Sequence, residues 1–225
     1  MDYTDLPSRI PAGIRGIIFD YGGTLDSHGD HWSHIILDAW RDAGVRLSAE
    51  DFIPAYIHGE RALAIPGAVA PTDTFLELMH RKIVAESSMI APRPDSRTCE
   101  KAARSCYESA RSCTAEAAGM LEKLSQDYPL AVVSNFYGNL DAVLEDFGLR
   151  RFFTAVIESA RAGVRKPDPA IFRLGAEALG LPPAEILAIG DSMDKDIIPA
   201  AAAGCRTLLI EGRPWPPTSE SAAQG

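Results

Sequence analysis

The chain has 225 residues, of which 46% are hydrophobic and 24% charged, a composition typical of an ordinary folded protein. Its formal net charge of −9 argues against nucleic-acid binding, which needs a basic face, but not against a phosphate ligand in a locally positive pocket. There is no apolar run of the roughly 20 residues that cross a bilayer and no signal-peptide core, so we expect a cytoplasmic protein that does not enter membranes.

Five short apolar runs bounded by turn residues predict buried parallel strands. They cover residues 14–19, 130–133, 155–157, 186–189 and 207–210. Helical patterns alternate with the later strands, at residues 139–147, 170–179 and 197–203. This alternation predicts an α/β fold, a doubly wound Rossmann-like parallel sheet whose site lies at the carboxyl ends of the strands.

A long stretch without strand signals separates the first strand from the second. Helices are predicted there over residues 35–43, 49–62, 74–86 and 97–127. We therefore expect an α/β core built from residues 1–26 and 117–212, with a helical insertion over residues 27–116. Residues 213–225 are rich in Pro, Ser and Ala and are predicted to form a disordered tail.

The four cysteines are expected to be reduced thiols. Cys99, Cys106 and Cys113 are spaced seven residues apart, which is about 10 Å along a helix. One zinc ion cannot bind all three at that spacing, because zinc–sulfur bonds are about 2.3 Å long. We interpret these residues as a buried stripe on one helix.

Polar residues that suit phosphate chemistry follow the predicted strands in four places. Asp20 ends the first strand, in Phe-Asp-Tyr-Gly-Gly-Thr-Leu, and Ser134 ends the second. Lys166 lies in Arg-Lys-Pro-Asp-Pro, and the last motif is Gly-Asp-Ser-Met-Asp-Lys-Asp, with Asp191 and Asp196. A carboxylate can attack phosphorus, and a hydroxyl and an ammonium group can hold the phosphoryl oxygens.

In this order the motifs resemble those of the haloacid dehalogenase superfamily, over roughly residues 14–211. The likeness is to phosphoglycolate-phosphatase-like members, in which the helical insertion is a mobile cap. The resemblance implies a nucleophilic Asp20, with Ser134 and Lys166 as catalytic phosphate ligands. It also implies Mg²⁺, whose candidate ligands are Asp20, the Gly22 carbonyl, Asp191 and Asp196.

Three further residues are candidates for contact with the substrate. Thr24 is expected to support the loop after the first strand. Asn135 is expected to orient the substrate or the neighbouring loops. Arg61, on a cap helix, is positioned to select an anionic substrate, with a solvated helix residue as the open alternative.

Gly22 departs from the superfamily pattern, because the first motif Asp-x-Asp-Gly-Thr has its second Asp at this position. That acid would protonate the leaving oxygen and then activate water, typically a 10²–10⁴-fold contribution. His28 and His31 follow closely, and histidine is the side chain that ordinarily exchanges protons near neutral pH, so either could take this role unless they only cap or pack the linker. Asp26 and Asp30 are further candidates.

The leading hypothesis is a magnesium-dependent phosphatase that acts on a small phosphorylated metabolite through an aspartyl-phosphate. A catalytically weak protein that binds a phosphorylated ligand or a protein partner is one alternative. A dehalogenase is another, since dehalogenases also lack the second acid, although their last motif differs from this Gly-Asp-Ser type. A phosphonate-cleaving branch would need a Schiff-base amine, for which the candidates are Lys82 and Lys101. Neither the substrate nor the oligomeric state follows from the sequence.

Overall fold

A parallel β-sheet forms the centre of the structure, a computed structural model that describes residues 3–217. Its strands are β1 (Gly16–Phe19), β2 (Leu130–Ser134), β3 (Ala155–Glu158), β4 (Ile186–Gly190) and β5 (Arg206–Leu209). Their spatial order is β3-β2-β1-β4-β5, and every neighbouring pair is parallel. The predicted α/β fold with a Rossmann-like sheet is confirmed.

Helices cover both faces of the sheet. The helices of the insertion, described next, are numbered α1 to α4. Helix α5 (Leu140–Asp146) follows β2, helices α6 (Ser159–Ala162) and α7 (Ala170–Leu179) follow β3, and α8 (Ile198–Ala203) follows β4. Alternate side chains of β1 point to opposite faces, so that Phe19 packs into one core and Ile18 into a second core with α7 and α8. Gly175 lets α7 approach the sheet closely, because a Cβ there would lie 2.8 Å from the Ile18 side chain.

The helical insertion lies between β1 and β2. Its helices are α1 (Trp32–Asp42), α2 (Ala49–Leu63), α3 (Phe75–Ser87) and α4 (Ser96–Asp127). Each of them begins after a residue whose side chain accepts a backbone N–H of the first turn, a common way to satisfy a helix N-terminus. These capping residues are His31, Ser48, Thr74 and Asp95.

Helix α4 connects the insertion to β2 without a break. It packs against α1 and α3, and its cysteines Cys99, Cys106 and Cys113 are buried free thiols, as their spacing predicts. The expected boundary between cap and core at residues 116 and 117 falls inside this one helix. The division into two domains therefore stays a prediction. Among the helices described, none combines the length and apolar character that a membrane span requires.

The segment after β5 differs from the predicted disordered tail as far as it is described. The backbone N–H and the Nε of Arg213 donate hydrogen bonds to the Asp30 carboxylate at 2.8 and 2.7 Å. Trp215 packs against the rings of His31 and Tyr56. Composition did not reveal these contacts, because each joins residues far apart in the chain. Residues 218–225 of the predicted tail lie outside the described residues.

Candidate active site

A cleft of about 1040 Å³ lies at the carboxyl ends of the strands. Its floor includes Asp20, Ser134, Lys166 and Asp191, which follow or end β1, β2 and β4 or lie in the loop before α7. Helices α2 and α3 of the insertion line the other side. This position is the one at which proteins with parallel α/β sheets usually bind their ligands.

Lys166 is the centre of the charged floor. Its Nζ lies 2.6 Å from Asp20 Oδ1 and 2.5 Å from Asp196 Oδ1, and all three side chains are almost fully buried. Burial alone would lower the pKa of Lys166, but the attraction of Asp196 and Asp20 outweighs it and raises the pKa. The lysine is therefore a fixed positive charge between two carboxylates.

Asn135 positions this lysine through the backbone. The Asn135 side-chain N–H donates to the Lys166 carbonyl at 3.1 Å, and the Lys166 N–H donates to Asn135 Oδ1 at 2.9 Å. Of the two roles expected for Asn135, to orient the substrate or the neighbouring loops, these hydrogen bonds correspond to the second. Ser134, at the end of β2, is buried and lines the cleft.

Asp196 holds the loop after β4. Its Oδ2 accepts a hydrogen bond from the Ser192 N–H at 3.0 Å, while Oδ1 accepts from Lys166. Gly190 makes room for it, since a Cβ at that position would lie 2.4 Å from the Asp196 side chain. Asp196 therefore acts first as a positioning residue for the lysine and the loop.

Three carboxylates could hold a metal ion. Asp20, Asp191 and Asp196 each offer an oxygen, and these oxygens lie within 4.8 Å of one another. Burial, followed by the neighbouring carboxylates Asp20 and Asp196, raises the pKa of Asp191 well above its usual range. Hard carboxylate oxygens and mutual repulsion of this kind fit a divalent cation such as Mg²⁺. Gly22 also lines the cleft.

The loop after β1 is built around Gly23 and Asp26. Gly23 has a φ of +94°, a conformation that favours glycine, and its N–H donates to Asp26 Oδ1 at 2.8 Å. Trp32 Nε1 donates to the other carboxylate oxygen at 2.9 Å. Burial raises the pKa of Asp26 to about 7 despite these two hydrogen bonds. Thr24 supports the same loop, because its hydroxyl donates to Asp191 Oδ1 at 3.2 Å.

The two histidine candidates lie in different places. His28 is not among the residues that line the cleft; its ring packs on Tyr3 at a centroid distance of 4.5 Å, and its Nε2 is 3.3 Å from Glu116. His31 lines the cleft and caps α1 by accepting from the Ser33 N–H. Burial, followed by the charges of Lys195 and Lys82, lowers the pKa of His31 to about 4. It is therefore a neutral imidazole at neutral pH and lacks the acidic proton of the imidazolium form.

A polar network on the insertion side of the cleft was missed by sequence reasoning. Glu60 accepts a hydrogen bond from the buried Lys82 ammonium and another, at 2.7 Å, from the Tyr137 hydroxyl of the core. Burial alone would raise the pKa of Glu60, but Lys82 and the hydrogen bonds lower it to about 2. The Lys82 Nζ also lies 4.4 Å from the centre of the Tyr56 ring. Arg61, the predicted contact, lines the cleft beside this network with an exposed side chain.

The core and the insertion are joined through this network. Tyr137 follows β2, whereas Glu60 and Lys82 belong to α2 and α3. The carboxylate and the ammonium compensate each other's charge, so Lys82 is held as an ion-pair partner. The one signal in the sequence was that residues 56, 59, 60 and 63 lie on one face of a helix, which does not reveal their partners.

The sequence is similar to one protein family and to several known proteins. A family model described as haloacid dehalogenase-like hydrolase matches residues 14–204. Haloacid dehalogenase-like hydrolase domain-containing protein 3 from Bos taurus is 43% identical over 83 residues, which are 37% of this chain and 33% of that protein. The match to this relative thus spans about a third of its length. Phosphoglycolate phosphatase from Yersinia pseudotuberculosis is 28% identical over 204 residues, which are 85% of this chain and 78% of that protein.

Several solved structures have the same fold as this chain. A dehalogenase superposes with a TM-score of 0.61 at 22% identity, covering 95% of this chain and 92% of the other. An enzyme from Bacteroides thetaiotaomicron in complex with magnesium and inorganic phosphate has a TM-score of 0.55 at 19% identity, covering 90% and 97%. These identities support the fold alone. The match over residues 14–204 decides the family, and the chain belongs to the haloacid dehalogenase-like hydrolases.

Proposed function

We propose that this hydrolase is a phosphatase that cleaves small phosphate monoesters through an aspartyl-phosphate on Asp20. The observation that carries the proposal is the buried Lys166 ammonium, 2.6 Å from Asp20 and 2.5 Å from Asp196 at the floor of the cleft. A fixed positive charge beside a carboxylate suits the transfer of an anionic phosphoryl group. The likeness to a phosphoglycolate phosphatase over 85% of the chain supports the same class of substrate.

The first step transfers the phosphoryl group to the enzyme. Lys166 holds Asp20 Oδ1, which leaves the second carboxylate oxygen to attack phosphorus. The new bond joins this oxygen to phosphorus, the bond from phosphorus to the alcohol oxygen breaks, and the alcohol leaves with its electron pair and takes up a proton. Ser134 and Lys166 are the residues that would hold the remaining phosphoryl oxygens.

The second step returns the enzyme to its starting state. Water attacks phosphorus, the bond to the Asp20 oxygen breaks, and inorganic phosphate leaves while a proton passes to a base. Asp20, Asp191, Asp196 and the Gly22 carbonyl are the groups that would hold Mg²⁺. When bound, it neutralises charge on the phosphoryl oxygens.

Asp26 is the residue best suited to the proton transfers that Gly22 cannot perform. It lines the cleft, and burial raises its pKa to about 7, close to the value an acid and base needs at neutral pH. His31 lines the cleft as well, but its lowered pKa makes it a weak base and removes it as an acid. We therefore propose Asp26 in place of the histidines.

The test is the release of nitrophenolate from p-nitrophenyl phosphate in the presence of Mg²⁺. This leaving group needs little protonation, so the assay separates the nucleophile from the missing acid. We expect release by the wild-type protein and none by Asp20→Asn. Asp127→Asn changes an exposed carboxylate at the end of α4 in the same way and should leave the rate unchanged. Equal release by the wild-type protein and Asp20→Asn would contradict the proposal.

Dehalogenation is the second candidate, and the absence of an acid at Gly22 is the observation that favours it. The same carboxylate could displace halide from a 2-haloacid. Asp20-dependent release of chloride from 2-chloropropionate, without phosphatase activity, would select this function. The lysine bridge to Asp196 and the three convergent carboxylates favour the phosphatase.

A further inference from the structure

Three aromatic rings form one wall of the cleft. Ring centroids of His31 and Trp215 lie 5.3 Å apart, those of Tyr56 and Trp215 lie 5.0 Å apart, and those of His31 and Tyr56 lie 5.6 Å apart. All three residues line the same cleft as Asp20 and Lys166. We refer to His31, Tyr56 and Trp215 as the aromatic wall.

Trp215 reaches this wall on the segment that follows β5. Arg213 anchors the segment, with its Nε 2.7 Å from Asp30 Oδ2 and its Nη1 3.4 Å from Asp38 Oδ2. The His34 ring lies within hydrogen-bond distance of the Pro214 carbonyl, at 2.8 Å. These contacts hold the two residues before Trp215 against α1 and the loop that precedes it. The segment lies beyond the residues 14–204 that match the family model, so the family match gives Trp215 no role.

The aromatic wall is uncharged at neutral pH. Burial lowers the pKa of His31 to about 4 and raises the pKa of Tyr56 well above its ordinary value, so the imidazole and the phenol are both neutral. The Lys82 ammonium near the Tyr56 ring is paired with Glu60. The three rings therefore add no charge of their own to the cleft, whereas the exposed cations Arg61 and Lys195 line it outside the aromatic wall.

Part of the wall remains accessible. Trp215 is 39% exposed, and Met193, which lines the same cleft, is 49% exposed. Aromatic rings gain from offset or edge-to-face contact with another ring, beyond the area they bury. A cleft of about 1040 Å³ also holds much more than a phosphoryl group with two or three carbon atoms.

We propose that the aromatic wall is the subsite for the organic part of the substrate, and that it selects phosphate monoesters carrying a flat aromatic ring. Aryl phosphates and nucleoside monophosphates share this chemistry. This inference rests on the proposed phosphatase function, because it places the phosphoryl group beside Lys166 and the ring beside Trp215.

Binding to a variant without turnover tests the subsite separately from catalysis. In the Asp20→Asn background with Mg²⁺, the Kd of phenyl phosphate, adenosine monophosphate and glycerol 3-phosphate is measured by calorimetry. Adding Trp215→Ala is expected to weaken binding of at least one of the two ring-bearing esters about three- to tenfold, the size expected for one aromatic contact. Glycerol 3-phosphate should change less than twofold. If the affinity falls for only one of the two ring-bearing esters, the result identifies whether the wall prefers an aryl phosphate or a nucleoside monophosphate.

Two further variants separate the subsite from a structural role. Trp215→Phe keeps a ring and should recover most of the affinity. Ile65→Ala removes an apolar side chain that is 61% exposed and lies outside the residues lining the cleft, and should change nothing. An equal loss for all three esters, or no loss for either ring-bearing ester, would overturn the inference. Hydrolysis that does not depend on Asp20 would instead overturn the proposed function.

Discussion

Gly22 and Gly23 are neighbours in the loop after β1, yet only one of them is required by the structure. A Cβ at Gly23 would lie 2.4 Å from an Asp191 carboxylate oxygen, and the residue has a φ of +94°. A Cβ at Gly22 would meet no atom within 4 Å, and its φ is not in the left-handed region. The position where the superfamily pattern has its second acid is therefore open to a side chain.

Gly22→Asp should increase turnover of phosphate esters with poor leaving groups, such as phenyl phosphate. A carboxyl group there would take over the proton transfers proposed for Asp26 from the position that the superfamily pattern uses, and the gain should stay within the roughly 10²–10⁴-fold that a general acid and base contributes. The rise in kcat is measured against Gly22→Ala, which fills the same space without an acid and should match the wild type. Gly23→Ala should lose activity because of its clash with Asp191. A folded Gly22→Asp protein with unchanged kcat would contradict this account.

Lys166→Ala should destabilise the protein and lower its activity. Removing one partner from a buried charge cluster typically costs about 3–5 kcal/mol, because the Asp20 and Asp196 carboxylates would be left unpaired. Activity should fall about 10²–10³-fold with the loss of the positive charge beside the phosphoryl group. Urea unfolding and nitrophenolate release measure the two effects. Lys123→Ala, an exposed lysine on α4, is the control, and equal behaviour of the two variants would refute the role of Lys166.

Asp26→Asn should flatten the pH dependence of turnover. If Asp26 activates water, its ionised form is the active one, so the wild-type rate rises as the pH increases through about 7. The variant cannot ionise and should lose this rise, which a kcat profile between pH 5 and 9 would reveal. Trp32→Phe removes the indole that donates to Asp26 but keeps the carboxylate, and its rate should still rise with pH. A rise retained in Asp26→Asn would assign it to another group.

Glu86→Gln should change how stability depends on pH. Glu86 is fully buried, one of its oxygens accepts from Trp40 Nε1 at 2.9 Å, and burial raises its pKa from 4.5 to about 7. The folded protein therefore holds a proton that the unfolded chain releases between these values, and this contribution to stability is lost as the pH rises through 7. A shift of this size corresponds to roughly 3 kcal/mol.

The measurement is the free energy of unfolding at several pH values from 4 to 8. The free energy of unfolding of the variant should increase relative to that of the wild type as the pH rises over this window, because glutamine carries no charge at any of these pH values. Glu122→Gln, an exposed change on α4, should follow the wild type throughout. Parallel curves for Glu86→Gln and the wild type would show that Glu86 keeps its ordinary pKa.

The sheet was readable from the sequence because local patterns determine it. Short apolar runs placed all five strands within two residues of their observed limits, and the helix over residues 170–179 was placed without error. Motif order then indicated that Asp20, Ser134 and Lys166 would meet at one edge, since parallel strands end at the same side. Helix α6, with only four residues, had no periodicity to reveal it.

Contacts between distant segments could not be read in the same way. Glu60 pairs with Lys82 and Tyr137 across three elements, and Trp215 reaches the cleft from a segment whose composition suggested disorder. His28 was placed near the cleft on spacing alone, whereas the turn after Gly23 directs it to Tyr3 and Glu116. In each case the partner is decided by packing of the insertion, which periodicity does not specify.

The central claim is that Asp20 accepts a phosphoryl group, and mass spectrometry of the protein mixed rapidly with p-nitrophenyl phosphate and Mg²⁺ tests it most directly. We predict one added phosphoryl group, located on the peptide that contains Asp20, in the wild-type protein and none in Asp20→Asn. Gly22→Asp should shorten the lifetime of the adduct. No adduct in the wild-type protein at any time of mixing, or an adduct that persists in Asp20→Asn, would contradict the account.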